Sequence, residues 1–170
     1  MPFTGEHLYF DDLEVGREWE SPGRTITEAD VASFAGLSGD FNPIHVDHHF
    51  ARGTPYRRPV AHGLLVLSAG SGLSAHSPPV RTLAFVALRE WHFRGPVYFG
   101  DTVRVRSKVL AKQARGRGRR GTVLWQRQVL NQDGKVVQEG VTETLVEGRS
   151  PTPAAAGEPC RPVGYTLAGH

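Results

Sequence analysis

Residues 61–75, AHGLLVLSAGSGLSA, contain no Asp, Glu, Lys or Arg, and apolar or small residues would occupy almost every side of a helix formed there. A helix that is hydrophobic all round has to be buried. Gly63, Gly70 and Gly72 stand within the run, and each costs about 1 kcal/mol against alanine in a helix interior. Close packing against surrounding backbone is a reason to accept that cost. The run predicts a central helix with something wrapped around it.

The wrapping material follows in the chain. Thr82–Phe93 is rich in Phe, Val, Leu and Trp and reads as a strand. TVRVRSKVL (102–110) alternates Val103 and Val105 with Arg104, Arg106 and Lys108, the period of a half-buried strand. QARGRGRRG (113–121) reads as a basic, glycine-rich loop. Thr122–Leu130 is another strand, NQDG (131–134) a hairpin turn, and Lys135–Val146 a last strand. Strands with short connections imply an antiparallel sheet whose apolar face needs a cover. The 61–75 helix is the obvious one. Upstream, LYFDDLEVGREWE (8–20) suggests an arm or edge strand around a turn, with a short extended piece at Arg24–Ile26. Thr27 reads as an N-cap with Asp30 as its capping-box partner. Val31, Phe34, Ala35 and Ser38 then mark a helix over 28–38 that Gly39 ends.

Between the two helices lies FAGLSGDFNPIHVDHHFA (34–51). A residue before proline is pushed out of the α region, so Asn42 should be extended. On a straight strand Asp40 and His45 would be roughly 16 Å apart, but a tight turn at Asn42-Pro43 can bring carboxylate and imidazole together. That is an acid–base pair on a rigid corner. Asp47–Ala51 is expected to form a single helical turn, and 52–59 a loop.

The totals set limits. At 170 residues one domain over 1–148 is the simplest organisation, with a Pro/Ala/Gly-rich, flexible tail at 149–170. The formal charge of +3 suits an anionic small ligand as well as nucleic acid, but the basic run 115–120 has no interleaved aromatics for stacking, so nucleic acid is not expected. The one cysteine, Cys160, excludes an intramolecular disulfide. The acidic start and the absence of a ~20-residue apolar stretch give no signal peptide and no membrane span. A cytoplasmic protein is the expectation.

Several spaced motifs, in order, resemble the MaoC-like dehydratases and (R)-specific enoyl-CoA hydratases. Phe34, Leu37-Ser38-Gly39-Asp40, Asn42-Pro43-Ile44-His45 and Ala51 match that family's hydratase signature. YFDDLEVG (9–16), RTITEADV (24–31), RRPVAHGLL (57–65) and FGDTV (99–103) resemble its flanks. The resemblance runs from about Tyr9 to Val146. It implies an α+β hot-dog fold, a curved antiparallel sheet wrapped around a long apolar helix. It also implies Asp40 and His45 as the catalytic pair, Asn42 orienting the water or the His45 ring, and the Gly63 N–H donating to the thioester oxygen. The position of Gly63 at a helix start agrees with that last role, since backbone donors there lack internal partners and favour negative charge.

The implied reaction is reversible addition of water to a trans-2-enoyl-CoA to give the (R)-3-hydroxyacyl-CoA, with no cofactor and no metal, in a homodimer or larger homo-oligomer. A branched or dicarboxylic C4–C5 enoyl-CoA, or an acyl-carrier-protein thioester, would use the same chemistry. A hot-dog thioesterase would need a base aimed at the thioester carbon, and a non-catalytic acyl-CoA-binding module would tolerate loss of Asp40 or His45. Arg57 and Arg58, and the cluster Arg115, Arg117, Arg119 and Arg120, are candidates for the phosphates of coenzyme A; a solvated loop explains 115–120 equally well. Adjacent His48 and His49 would point apart, so His45, Asp47, His48 and His49 are not expected to bind metal together. His62 reads as structural, Trp19, Trp91 and Trp125 as core or interface residues. Ser38 and Ser68 lack a nucleophile elbow.

Overall fold

The computed structural model describes residues 7–116 and 119–149. Its elements are a 3₁₀ turn at Phe10–Asp12, strands β1 (Glu18–Glu20) and β2 (Arg24–Thr25), helices α1 (Glu28–Ser38), α2 (Pro43–Val46), α3 (His48–Arg52) and α4 (Gly63–His76), then strands β3 (Thr82–Phe93), β4 (Thr102–Arg115), β5 (Arg120–Leu130) and β6 (Val136–Glu147). The antiparallel sheet runs β1-β4-β5-β6-β3, with β2 paired to β4. Curved against α4, it is the hot-dog fold that the resemblance implies.

Thr27 and Asp30 form the expected capping box, and α1 ends where Gly39 turns left-handed at φ 77°, a conformation cheap only for glycine. The sheet's concave side meets α4 through Val103, Val105, Val129 and Val137 against Leu65, Val66 and Ala69. Farther along the sheet Phe10, Leu13, Val109, Val123, Trp125 and Val146 form a second cluster, where Trp19 meets Trp125 edge-on.

Three expectations need correction. The central helix is not enclosed all round within this chain: Leu64 is 59% exposed, and Ser68, Ser71 and Gly72 also face outward. The basic loop is shorter than its composition suggests, because Gln113–Arg115 continue β4 and pair with Arg120–Thr122; Arg117 lies outside the described residues. The segment expected to be a flexible tail begins with a held residue, since Arg149 forks onto Asp12 at 2.9 Å and lies over Tyr9. The rest of that tail, 150–170, lies outside the described residues. No helix among the described residues is long and apolar enough to cross a membrane.

Two hydrogen bonds place the corner beside the start of α4. Val60 N–H donates to the Ile44 carbonyl (3.1 Å), and Ala61 N–H donates to that of Val97 (2.8 Å). Residues 60–61 are thereby strapped between α2 and the turn after β3, and the next two residues open α4.

Candidate active site

The left-handed Gly39 turns the chain away from α1, and Asn42, extended at ψ 130°, starts α2 with Pro43 in its first turn, where the missing N–H costs nothing. The Asn42 side-chain oxygen accepts from Ile44 N–H at 3.1 Å. Asn42 therefore fixes the helix that carries His45; its oxygen is occupied by that cap. Asp40 accepts from the Asn42 N–H at 3.2 Å.

His45 is buried at 9% exposure, and its Nδ1 lies 2.6 Å from the Val60 carbonyl. A carbonyl only accepts, so Nδ1 carries the proton and Nε2 keeps its lone pair. His62, 2% exposed, sits immediately before α4 with Nε2 2.8 Å from the Asp40 carbonyl. By the same argument Nε2–H is the donor, and its Nδ1 is buried without a partner among the described residues. The His62 ring lies on that of His45, centroids 3.8 Å apart and planes 30° apart, with Phe34 5.1 Å from it.

Asp40, His45 and His62 thus present one nitrogen or oxygen each, all within 4.8 Å of one another. That separation lets one water hydrogen-bond to both Asp40 and His45, since two such bonds reach about 5.5 Å. The two imidazole planes are tilted by 30°, and among the described residues these three donors lie close enough together to hold a metal ion. Asp47 instead caps α3 through His49 and Phe50 N–H groups, which hold its carboxyl below the usual range, and His48 pairs with Glu28.

A cavity of about 570 Å³ opens at the amino end of α4, lined by His45, Gly63, Leu64, Phe93, Gln138 and other residues. Asp40, half exposed, does not line it; nor do Asn42, Arg57 or Arg58. Arg57 sits at φ 61°, and the Arg58 guanidinium lies 4.0 Å over Tyr98. Arg115, Arg119 and Arg120 belong to the β4–β5 hairpin and also lie off the cavity. Ser38 and Ser68 donate back to the Phe34 and Leu64 carbonyls of their own helices.

Gly63 occupies the first turn of α4. A relay fixes it: Trp91 Nε1–H donates to Gln138 Oε1 (3.1 Å), and Gln138 Nε2–H donates to the Gly63 carbonyl (2.9 Å). A Cβ at position 63 would lie 2.7 Å from the Phe93 ring. The sequence reading missed Gln138 and the contact of His62 with both Asp40 and His45. Neither carries a local signal, because each depends on which segments meet across the fold.

A family model described as MaoC like domain matches residues 12–129. A 3-hydroxybutyryl-CoA dehydratase of Methylorubrum extorquens is 39% identical over 102 residues, 60% of this chain and 64% of that protein, so the match spans less than two thirds of that relative's length. An (R)-specific enoyl-CoA hydratase of Aeromonas caviae is 39% identical over 99 residues, 58% of this chain and 72% of that one. The crystal structure of a MaoC-like dehydratase from Rhodospirillum rubrum superposes with a TM-score of 0.77 at 28% identity, covering 85% of this chain and 99% of that one.

Proposed function

The chain belongs to the MaoC-like domain family, and on that premise we propose that it is a hydro-lyase adding water reversibly to a trans-2-enoyl-CoA to give the (R)-3-hydroxyacyl-CoA. The observation that carries this reading is a half-exposed Asp40 carboxylate with an oxygen within 4.8 Å of a His45 ring nitrogen, His45 itself lining a cavity that reaches the first turn of α4.

The thioester carbonyl accepts from the Gly63 N–H, and the acyl chain enters the cavity. Asp40 and His45 each accept a hydrogen from the same water, leaving its oxygen lone pair facing C3. As that oxygen bonds to C3, one of the two takes a proton from it. The π electrons of the C2–C3 bond move toward the carbonyl oxygen, where a fixed N–H contributes about 3 kcal/mol to the transition state. When this enolate collapses, C2 takes back from the Asp40/His45 pair the proton that the pair removed from the water. One H and one OH have then been added, the pair is regenerated and no electrons have left the system. Acid–base assistance of this kind supplies about 10²–10⁴-fold. No metal or cofactor is needed for these steps. Asn42 acts by holding α2, and Arg57 and Arg58, exposed and off the cavity lining, are the candidates for the coenzyme A phosphates.

A homo-oligomer fits the same reading. β3 is an edge strand of twelve residues with Leu83, Phe85, Val86 and Leu88 all exposed, and an apolar edge of that length is a pairing surface.

The test is hydration of crotonyl-CoA and longer enoyl-CoAs, followed by loss of the enoyl-thioester absorbance. Asp40→Asn and His45→Gln should each lower turnover about a hundredfold or more with folding unchanged. Release of free thiol instead would make the protein a thioesterase, and absence of both signals would make it a binding module.

A further inference from the structure

A diagonal polar row interrupts the buried face of the sheet, which also carries Gln138 and Thr144. Ser107 on β4 stands opposite Arg127 on β5, and Thr142, opposite Trp125 in the β5–β6 register, lies diagonally beyond it on β6. The row separates the two core clusters, with Val105 and Val129 on one side and Val109, Val123, Trp125 and Val146 on the other. Arg127 is 7% exposed. Its guanidinium donates to the hydroxyls of Ser107 and Thr142 and lies 4.5 Å over the Trp125 ring. These partners are all neutral, and burial pushes its pKa down to about 10, so it is still a cation at neutral pH. Among the described residues it has no ion-pair partner, and a buried cation without a counter-charge destabilises a fold relative to an apolar side chain of similar size. Packing alone does not account for this arginine.

Arg127 faces a second cavity, of about 30 Å³, between the sheet and the later half of α4. Its lining is mostly apolar, Leu67, Phe85, Trp91, Val105 and Val129, with Thr142 and the Gly70, Ser71 and Ser74 side of α4 beside Arg127. Gly70 brings α4 close to the sheet, since a Cβ there would meet Val129 at 3.2 Å and Val105 at 3.4 Å. The volume suits a carboxylate-sized group. Both cavities lie along one helix, Gly63 at the first and Gly70 and Ser71 at the second, roughly 10–12 Å apart along the axis. Between them stands the Trp91–Gln138 pair.

We propose that the second cavity receives the far end of the acyl chain, and that Arg127 binds a carboxylate there, which makes ω-carboxyl enoyl thioesters the preferred substrates. This rests on the hydratase reading above. The chain passes when Trp91 swings off Gly140, against which it lies flat enough that a Cβ would meet it at 2.5 Å. An extended chain bridging the two cavities needs roughly eight to ten atoms beyond the thioester carbonyl.

The experiment compares kcat/KM for CoA monothioesters of trans-2-enedioic acids of about six to twelve carbons with methyl-ended enoyl-CoAs of equal length. Crotonyl-CoA is the control for basal hydration. The wild type should favour the carboxyl-ended member by about tenfold or more at its best length, as expected for a desolvated charge-assisted hydrogen bond. Arg127→Met should abolish that preference while leaving crotonyl-CoA turnover unchanged. Crotonyl-CoA turnover with no carboxyl preference at any length overturns this inference and leaves the hydratase reading standing; no turnover of any enoyl-CoA overturns both. The wild-type comparison decides the matter even if Arg127→Met does not fold.

Discussion

Replacing His62 by phenylalanine separates the part this ring plays in catalysis from its part in folding. The substitution keeps a flat ring between Phe34 and His45, with which His62 is in contact at 5.1 and 3.8 Å. It removes the 2.8 Å hydrogen bond from Nε2 to the Asp40 carbonyl, a loss of about 0.5–1.5 kcal/mol. It also removes the buried Nδ1 that has no partner among the described residues, and relieving an unsatisfied polar atom returns about 1–3 kcal/mol. With Asp40 exposed, water can take over the freed carbonyl. Net stability should therefore fall by no more than about 0.5 kcal/mol, and can rise by about 2.5 kcal/mol. Activity should respond differently, because the lost bond tethers the residue that carries the carboxylate, and a misplacement of about 1 Å costs about a hundredfold. We expect kcat on crotonyl-CoA to fall by about ten- to a hundredfold with KM little changed, and His62→Gln, which keeps an N–H donor, to recover part of the loss. Urea denaturation of both variants supplies the stability arm. Wild-type kcat in His62→Phe, or a fall in kcat matched by a fall in the folded fraction, would refute this reasoning.

Gly63→Ala places a methyl group 2.7 Å from the Phe93 ring; Phe93 is 55% exposed and can turn aside, so the melting temperature should barely move while hydration drops by about tenfold or more from crowding at the thioester oxygen. Gly121→Ala should destabilise by about 1–3 kcal/mol in chemical denaturation without altering kcat of the folded fraction, because its Cβ would lie 2.2 Å from the buried Phe10 ring. Asp30→Ala should cost about 1 kcal/mol at neutral pH through loss of the α1 capping box. Hydrogen bonds from Thr27 hold the Asp30 carboxyl below its ordinary 3.8; its contribution is present above that value and disappears as pH falls through the lowered one, so the unfolding curves of variant and wild type should converge in acid.

What could be read in the sequence is what local chemistry decides. The α1 cap at Thr27 and Asp30, its end at Gly39, the charge-free α4 and the turn at 131–134 each carry their signal within a few residues. The β4–β5 hairpin was misjudged for the opposite reason. Gln113–Arg115 look like loop by composition, yet they become strand because Arg120–Thr122 lie opposite them, and Lys112 reaches back to the Phe10 and Leu13 carbonyls at 2.9 and 2.7 Å. In the site, the expected approach of Asp40 to His45 is present. The layering of His62 between Phe34 and His45 could not be foreseen, since it requires α1, α2 and the start of α4 to meet. Arg127 is similar: in VLWQRQV (123–129) the alternation puts it on the same face as Val123, Trp125 and Val129, but a charged residue in that pattern gives no warning that it stays inside.

His45 takes its proton arrangement from a main-chain oxygen at position 60, not from an acidic neighbour. Every amino acid supplies that oxygen, so exchanging the Val60 side chain leaves the ring's acceptor in place. An imidazole steered by aspartate or glutamate can be switched off by one codon change in its partner. Here the orientation is insured by the polypeptide itself, and drift can disturb it only by shifting the backbone that strings residues 44 and 60 together.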